Sequence, residues 1–144
     1  MASYEETLVN ISLDAHADIV VDTQRPYTDA GTPDGASASN GFQYRFVQVS
    51  GPHEANLFTG ASGTRCVGVL QSKPQINDQE ATVAIAGISM VEADGEINAG
   101  DGVGAGDFGR ATAGGDLGIA IRGADAQGQL IPVLLLHTAT AVPA

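Results

Sequence analysis

The second half of the chain, residues 66–136, is a series of short apolar segments separated by Gly and Asp turns. The segments are CVGVL, ATVAIAGISMV, LGIAIRG and LIPVLLL, and turn sequences such as Asp94-Gly95 and Gly100-Asp101-Gly102 stand between them. Short segments with turn signals at such close intervals predict the strands of a compact barrel or sandwich. The predicted fold class is therefore all-β, a small β-tulip-like barrel or sandwich with an extended N-terminal arm.

Residues 1–41 differ in composition from the rest of the chain. LVNISL and ADIVV are short apolar segments, and the stretch TQRPYTDAGTPDGASASNG that follows them is rich in turn formers. Such a stretch cannot bury much surface, so we expect a loop or tether there. The predicted organisation is an N-terminal arm and flexible loop over 1–41, a β-barrel domain over 42–137 and a C-terminal tail over 138–144.

Several positions predict local features of the barrel domain. The segment FQYRFVQV is expected to form a strand with Phe42, Tyr44 and Phe46 on one face, since side chains alternate along a strand. Gly87 is expected to bend or bulge the long segment ATVAIAGISMV. Asp94-Gly95 is typical of a two-residue hairpin turn, and Pro132 favours an edge or bulged position for the last strand.

The core must be built from small side chains. Aromatic residues make up 5% of the chain, Trp is absent and there are 19 glycines. Burial energy scales with apolar area, so a core of this kind is light and contacts between subunits would compensate for it. We therefore expect a homo-oligomer. The single cysteine, Cys66, excludes an intrachain disulfide and is interpreted as a core thiol.

The charge of the chain restricts its partners. A net charge of −11 argues against binding to nucleic acid, because phosphate contacts need Lys and Arg. Lys73 is the only lysine among the basic residues, and this acidic, lysine-poor balance suggests a halophilic, high-salt host. A GC-rich genome is the alternative explanation for the scarcity of lysine. The N-terminus is acidic and no apolar run approaches about 18 residues, so we expect a soluble chain made in the host cytoplasm with no membrane partner.

The glycine-rich motif Gly102-Val-Gly104-Ala-Gly106 is superficially similar to a nucleotide-binding loop. Phosphate binding by such a loop requires a strand before it and a helix N-terminus after it. Here Asp107, Phe108 and Gly109 follow as another turn, which favours tight β-corners instead.

Two sets of acidic residues have spacings that a metal site could use. One set stands in glycine-rich turns and consists of Asp101, Asp107 and Asp116. The other consists of Asp14, His16 and Asp18, with Asp22 beyond them. Asp in a turn usually hydrogen-bonds its own backbone, and no further His or Cys ligand stands near the second set. We therefore predict no metal, no cofactor, no catalytic residues and no enzymatic activity.

The order of short motifs along residues 41–136 resembles a family of small proteins encoded beside the major capsid proteins of tailed phages. The matching motifs are Gly68-Val69-Leu70-Gln71, Lys73-Pro74, Ala81-Thr82-Val83, Gly87-Ile88-Ser89, Ala99-Gly100-Asp101, Gly109-Arg110-Ala111 and Gly118-Ile119-Ala120, followed by a Val- and Leu-rich strand. These proteins are head decoration, or capsid cement, proteins. The resemblance covers the body of the chain, and residues before 41 match weakly.

The resemblance implies a β-barrel-like body without catalytic residues. It also implies trimers on the outer surface of an icosahedral virion of a bacteriophage or archaeal virus, with the major capsid protein as partner and an arm reaching along neighbouring capsid subunits. We predict that the arm contacts the shell between residues 4 and 22. Its apolar anchors would be Val9, Ile11, Leu13, Ile19, Val20 and Val21.

Contacts between subunits are predicted on the body. The candidate residues are Phe42, Tyr44, Phe46, Leu57 and Phe58. The alternative function is that of a surface β-domain which binds a carbohydrate or a host receptor. That alternative requires exposed aromatic side chains on one face, and the chain has only seven aromatic residues, three Tyr and four Phe, to supply them.

Overall fold

The computed structural model describes residues 8–20, 36 and 41–135. It contains nine strands: β1 (Val9–Ala15), β2 (Phe46–Gly51), β3 (Glu54–Leu57), β4 (Gly68–Leu70), β5 (Glu80–Glu92), β6 (Gly102–Ala105), β7 (Ala111–Ala113), β8 (Gly118–Ala120) and β9 (Leu130–Leu135). Two 3₁₀ turns, Ala17–Ile19 and Asp107–Gly109, are the only helical segments in the described residues. The all-β prediction is confirmed.

The strands form one mixed sheet in the order β1-β3-β2-β4-β5-β9-β8-β6-β7, and β1 pairs with β5 as well. The five strands from β1 to β5 therefore form a closed circuit of pairings, in which only the β1–β3 pair is parallel. At the other end, a bridge between Ala93 and Ala111 connects the end of β5 to β7. This bridge closes a second circuit of pairings, β5-β9-β8-β6-β7, so the two circuits share β5.

The long strand β5 changes its partners at Gly87. Its first part, up to Ala86, pairs with β1 and β4, and its second part, from Gly87, pairs with β9. Gly87 has a φ of 97°, a value that only glycine adopts without strain. The irregularity that the sequence predicted at Gly87 is therefore the point where one circuit passes into the other.

Each circuit encloses a cluster of mostly small apolar side chains. The cluster in the β1–β5 circuit includes Leu13, Ile19, Phe42, Val47, Leu70 and Val83. The other cluster, on the side of the second circuit, includes Phe46, Phe58, Cys66, Val91, Ile131 and Val133. The interpretation of Cys66 as a core thiol is confirmed: its side chain is fully buried, and burial raises the pKa of the thiol to about 12.

The segment FQYRFVQV forms a strand over less of its length than expected. β2 begins only at Phe46, because residues 42–44 form a turn in which Tyr44 has a φ of 68°. The N–H of Tyr44 donates to the carbonyl of Leu70 at 2.7 Å. Because a positive φ interrupts the alternation of side chains, the predicted common face of Phe42, Tyr44 and Phe46 was wrong.

Two further expectations about pairing were wrong. Asp94-Gly95 does not close a hairpin, because β5 pairs with β9 from far along the chain. Pro132 lies in β9 between β5 and β8 rather than at an edge. Its carbonyl accepts the N–H of Ile121 at 2.9 Å, just beyond the end of β8. The missing prolyl N–H is tolerated there because the pairing with β8 ends at that point.

Candidate interaction surfaces

The middle of the predicted shell-binding segment, Val9–Ala15, is a strand of the body. β1 is hydrogen-bonded to β3 and to β5, and Leu13 and Ile19 are buried in the core. Their side chains therefore stabilise the fold and present no surface to a partner. Val9 is 53% exposed, Ile11 and Val20 are half-buried, and Val21 lies outside the described residues. The shell contact itself stays a prediction, and Val9 is the best exposed of its described anchors.

The predicted subunit-contact residues lie mostly inside the molecule. Phe42, Phe46 and Phe58 are no more than 2% exposed, so these side chains cannot contact another subunit in this conformation. Tyr44 and Leu57 are half-buried and retain some accessible surface. The chain has few large side chains, and the fold uses these aromatic rings to fill its core.

An apolar surface that the sequence analysis did not identify lies on the outer side of β5, β9 and β8. Ile88, Leu134 and Ile119 are aligned across the three strands by the register of the pairing. Met90 stands opposite Pro132, and the carbonyl of Pro132 accepts a hydrogen bond from the N–H of Ile121. The surface, here called the outer apolar face, consists of Ile88, Met90, Ile119, Ile121, Pro132 and Leu134.

Exposure differs across the outer apolar face. Ile121 is 46% exposed, Ile119 is 37% exposed and Leu134 is 36% exposed, whereas Pro132 is buried. The alternate residues of β9, Ile131 and Val133, point into the core. β9 is therefore apolar on both of its sides, unlike the usual strand of an antiparallel sheet, which has a polar outer face. The signal was visible in LIPVLLL, which contains no polar residue.

The outer apolar face ends at β6. Gly102 is the Cα partner of Ile119, and a Cβ placed on Gly102 would lie 2.5 Å from the carbonyl oxygen of Gly115. The turn at Gly114–Gly115 therefore covers β6 closely, which requires glycine on both sides of the contact. Residues 102–105 form strand β6, and the strand agrees with the interpretation of the glycine-rich motif as a β structure rather than a phosphate loop.

A buried ionic cluster joins β5 to two loops. The carboxylate of Glu92 lies 2.6 Å from a terminal nitrogen of Arg45 and accepts a hydrogen bond of 2.9 Å from Nε of Arg110. Arg45 is fully buried and also donates to the carbonyl of Phe108 at 3.1 Å. Asp94 lies 4.0 Å from Arg110 at the more exposed end of the cluster. Two cations and two carboxylates thus compensate each other.

The cluster has an energetic cost. Burial lowers the pKa of the Arg45 guanidinium to about 10, and the nearby carboxylate of Glu92 opposes that shift. Among the described residues, Nε of Arg45 has no hydrogen-bond acceptor. The contact with Phe108 holds a turn in which Phe108 itself has a φ of 55°. The cluster acts as a structural link between the loops and β5, since its charges are directed at each other.

The residues weighed as metal ligands are not grouped as a metal site in the described part of the chain. Nδ1 of His16 accepts the N–H of Asp18 at 3.0 Å and caps the first 3₁₀ turn. Asp14 stands between Glu54 on β3 and Glu80 on β5, so three carboxylates lie in one row across the sheet. Within residues 8–20, 36 and 41–135, no three His, Cys, Asp or Glu side chains are grouped as a metal ion would need. Asp22 lies outside these residues.

Comparisons with known proteins identify the fold. No family model and no curated protein sequence matches the chain. The structure is similar to the crystal structure of the N base of head fiber gp8.5 in bacteriophage phi29, with a TM-score of 0.56. The two sequences are 18% identical, and the match covers 92% of this chain and 98% of the other. The chain therefore shares the all-β fold of a phage head fiber base. In the described part of the chain, no helix has the length and hydropathy to cross a bilayer.

Proposed function

We propose that the chain is a structural virion protein that decorates the outer surface of an icosahedral head and stabilises it. Its partners are the major capsid protein and further copies of itself, arranged as a trimer. The observation that supports this most is the likeness in fold to a phage head fiber base over almost the whole of both chains. The motif pattern of the sequence, which resembles capsid decoration proteins, points to the same place in a virion.

The physical properties of the chain suit such a role. A decoration protein is present in many copies, so weak contacts repeated around a symmetric shell act together as a multivalent attachment. The net charge of −11 keeps an outward surface soluble, and it favours a basic or neutral patch on the shell as the contact.

The shell contact is assigned to the start of the chain. Leu8 packs against the core, and β1 is paired with β5 from Val9 onwards. The exposed side chain of Val9 is then available to a capsid subunit, while the buried residues of β1 support the fold. We assign residues 1–7 to the same contact as part of the proposal. A deletion of residues 1–22 would remove β1 and its core residues, so it would test folding rather than attachment.

Immunogold electron microscopy of intact particles tests the function directly. Antibodies against the purified chain should label the outside of heads of the virus that encodes it, and particles from which its gene is deleted should lose the label. The proposal would be refuted if the heads were unlabelled while the chain was present in the same preparation as free protein. A glycan array with the purified chain tests the alternative of carbohydrate binding.

Two matched variants test the shell contact. We expect deletion of residues 1–7 and the substitution Val9→Asp to abolish binding of the chain to gene-deleted heads, with unchanged circular dichroism. Deletion of residues 137–144 is the control and should leave head binding intact. Full occupancy of heads by the first two variants would contradict the assignment.

A further inference from the structure

We propose that the outer apolar face is the surface through which copies of this chain contact each other. The inference rests on the proposed function in one respect, because it assigns a surface to the subunit contact of the proposed oligomer. The surface itself is defined by strand register: six apolar residues lie on β5, β9 and β8 or just beyond the end of β8, and the alternate residues of β9 point into the core.

The first argument is the contrast between this face and the surface of the molecule as a whole. The chain has 17 acidic residues, whereas the six residues of the outer apolar face lie next to one another across β5, β9 and the end of β8. Ile119, Ile121 and Leu134 each expose more than a third of their surface, and they lie side by side. Adjacent exposed apolar residues on a sheet mark a surface that another protein covers.

The second argument identifies the occupant. Two copies of this chain, each with a charge of −11, repel each other wherever their acidic surfaces meet. Contact through an uncharged surface keeps these acidic surfaces apart, and the outer apolar face provides such a surface. A basic partner would instead be attracted to the acidic surface elsewhere on the molecule.

The outer apolar face is too small to form the whole contact between two copies. A stable interface buries roughly 800 Å² on each partner, which is more than six side chains supply. The outer apolar face would thus form the dry centre of the contact, with polar residues around it as a rim. Ile119 and Leu134, which are Cα partners, lie at that centre.

Residues 136–144 are the alternative occupant within the chain itself, because they follow directly after Leu135 at the end of β9. Their sequence, LHTATAVPA, alternates small and polar residues and offers few large apolar side chains to cover the face. A second copy offers the whole face again, which makes the contact self-complementary.

Sedimentation velocity over a range of concentrations tests the proposal. We expect Ile119→Asp and Ile121→Asp to raise the dissociation constant of the oligomer at least about 100-fold, since each buries a carboxylate in the apolar contact. Ile76→Asp is the matched control, because Ile76 is 66% exposed in the loop between β4 and β5. It should leave the oligomer unchanged. Circular dichroism and thermal melts establish that each variant is folded.

Cross-linking provides a second test that needs no carboxylate in the sheet. Cys66 is buried and its thiol resists ionisation, so it should not react with a cross-linker. Ile121→Cys introduces a second thiol at an exposed position, where a cross-linker can reach it. A short bismaleimide should join two chains of Ile121→Cys efficiently, whereas the control Ile76→Cys should remain largely uncross-linked.

Four results would overturn the proposal. The oligomer could persist in both aspartate variants, Ile121→Cys could cross-link no better than Ile76→Cys, or the unmodified chain could be a monomer at every concentration. An oligomer that forms only after residues 137–144 are deleted would show that the chain's own tail covers the face, which also overturns it. Head binding is measured separately: an oligomer contact that fails while gold still labels the heads refutes only this inference.

Discussion

Replacement of Glu92 by Gln removes the central charge of the buried ionic cluster at almost constant volume. In the native protein the Glu92 side chain is about 4% exposed and its carboxylate faces both Arg45 and Arg110. The amide introduced by Glu92→Gln could still accept one hydrogen bond, but it could not compensate either cation. Arg45 would then be a fully buried cation without its carboxylate partner, while the remaining carboxylate of the cluster, that of Asp94, lies 4.0 Å from Arg110.

The expected loss follows from the burial of that charge. Removal of one partner from a buried ion pair typically costs about 3–5 kcal/mol, because the other charge stays buried and unpaired. Most domains unfold with a free energy of only about 5–15 kcal/mol, so Glu92→Gln would consume a large part of the stability. For a chain of this length each kcal/mol corresponds to roughly 3–4 °C, which gives a decrease in melting temperature of about 10–20 °C.

Urea denaturation followed by circular dichroism measures this loss, since the chain contains no Trp for fluorescence. The matched control is Glu96→Gln, the same change at an exposed carboxylate four residues further on, and it should cost little. Adding Arg45→Met to Glu92→Gln should recover part of the loss, because it removes the unpaired cation. If Glu92→Gln is no more destabilising than Glu96→Gln, or if Arg45→Met deepens its loss, then charge compensation is not what stabilises the cluster.

Two further predictions concern single residues. The unfolded thiol of Cys66 ionises above about pH 9 and the buried thiol only near pH 12, so stability is complete below pH 9 and is lost as the pH rises. The free energy of unfolding should therefore fall by about 1.4 kcal/mol between pH 8 and pH 10 because of Cys66. Urea titrations of Cys66→Ala at those two pH values should lack this decrease. An equal decrease in the two proteins would contradict the prediction. Asp14→Asn should stabilise the protein by about 0.5–1 kcal/mol at low salt, because like charges opposite each other on neighbouring strands are unfavourable. This gain should disappear in melts at about 1 M salt, where such charges are screened, and Asp116→Asn, at an exposed turn, should show no comparable gain. A gain for Asp14→Asn that is equally large at high salt would rule out repulsion as its cause.

The fold class could be predicted from the sequence because its signals are local. Alternation, turn residues and the special position of Gly87 each concern a few neighbouring residues, and the structure contains a strand or a turn at most of these places. The pairing of strands could not be predicted in the same way. Asp94-Gly95 has the composition of a hairpin turn, but β5 pairs with β9 across a separation of roughly forty residues along the chain. Register at that distance depends on which faces pack together.

The candidate surfaces were predicted less well, for a reason that lies in the composition. Large aromatic residues are typical of protein interfaces, so Phe42, Phe46 and Phe58 were natural choices for subunit contacts. In the structure these three rings are enclosed in a core whose other side chains are mostly Ala, Val, Ile and Leu. The core encloses the rings of Phe42, Phe46 and Phe58, whereas Ile119, Ile121 and Leu134 remain exposed on the sheet. Composition could not separate the two sets, because both are large and apolar, and only the register of β8 and β9 fixes the side of the sheet on which each residue lies.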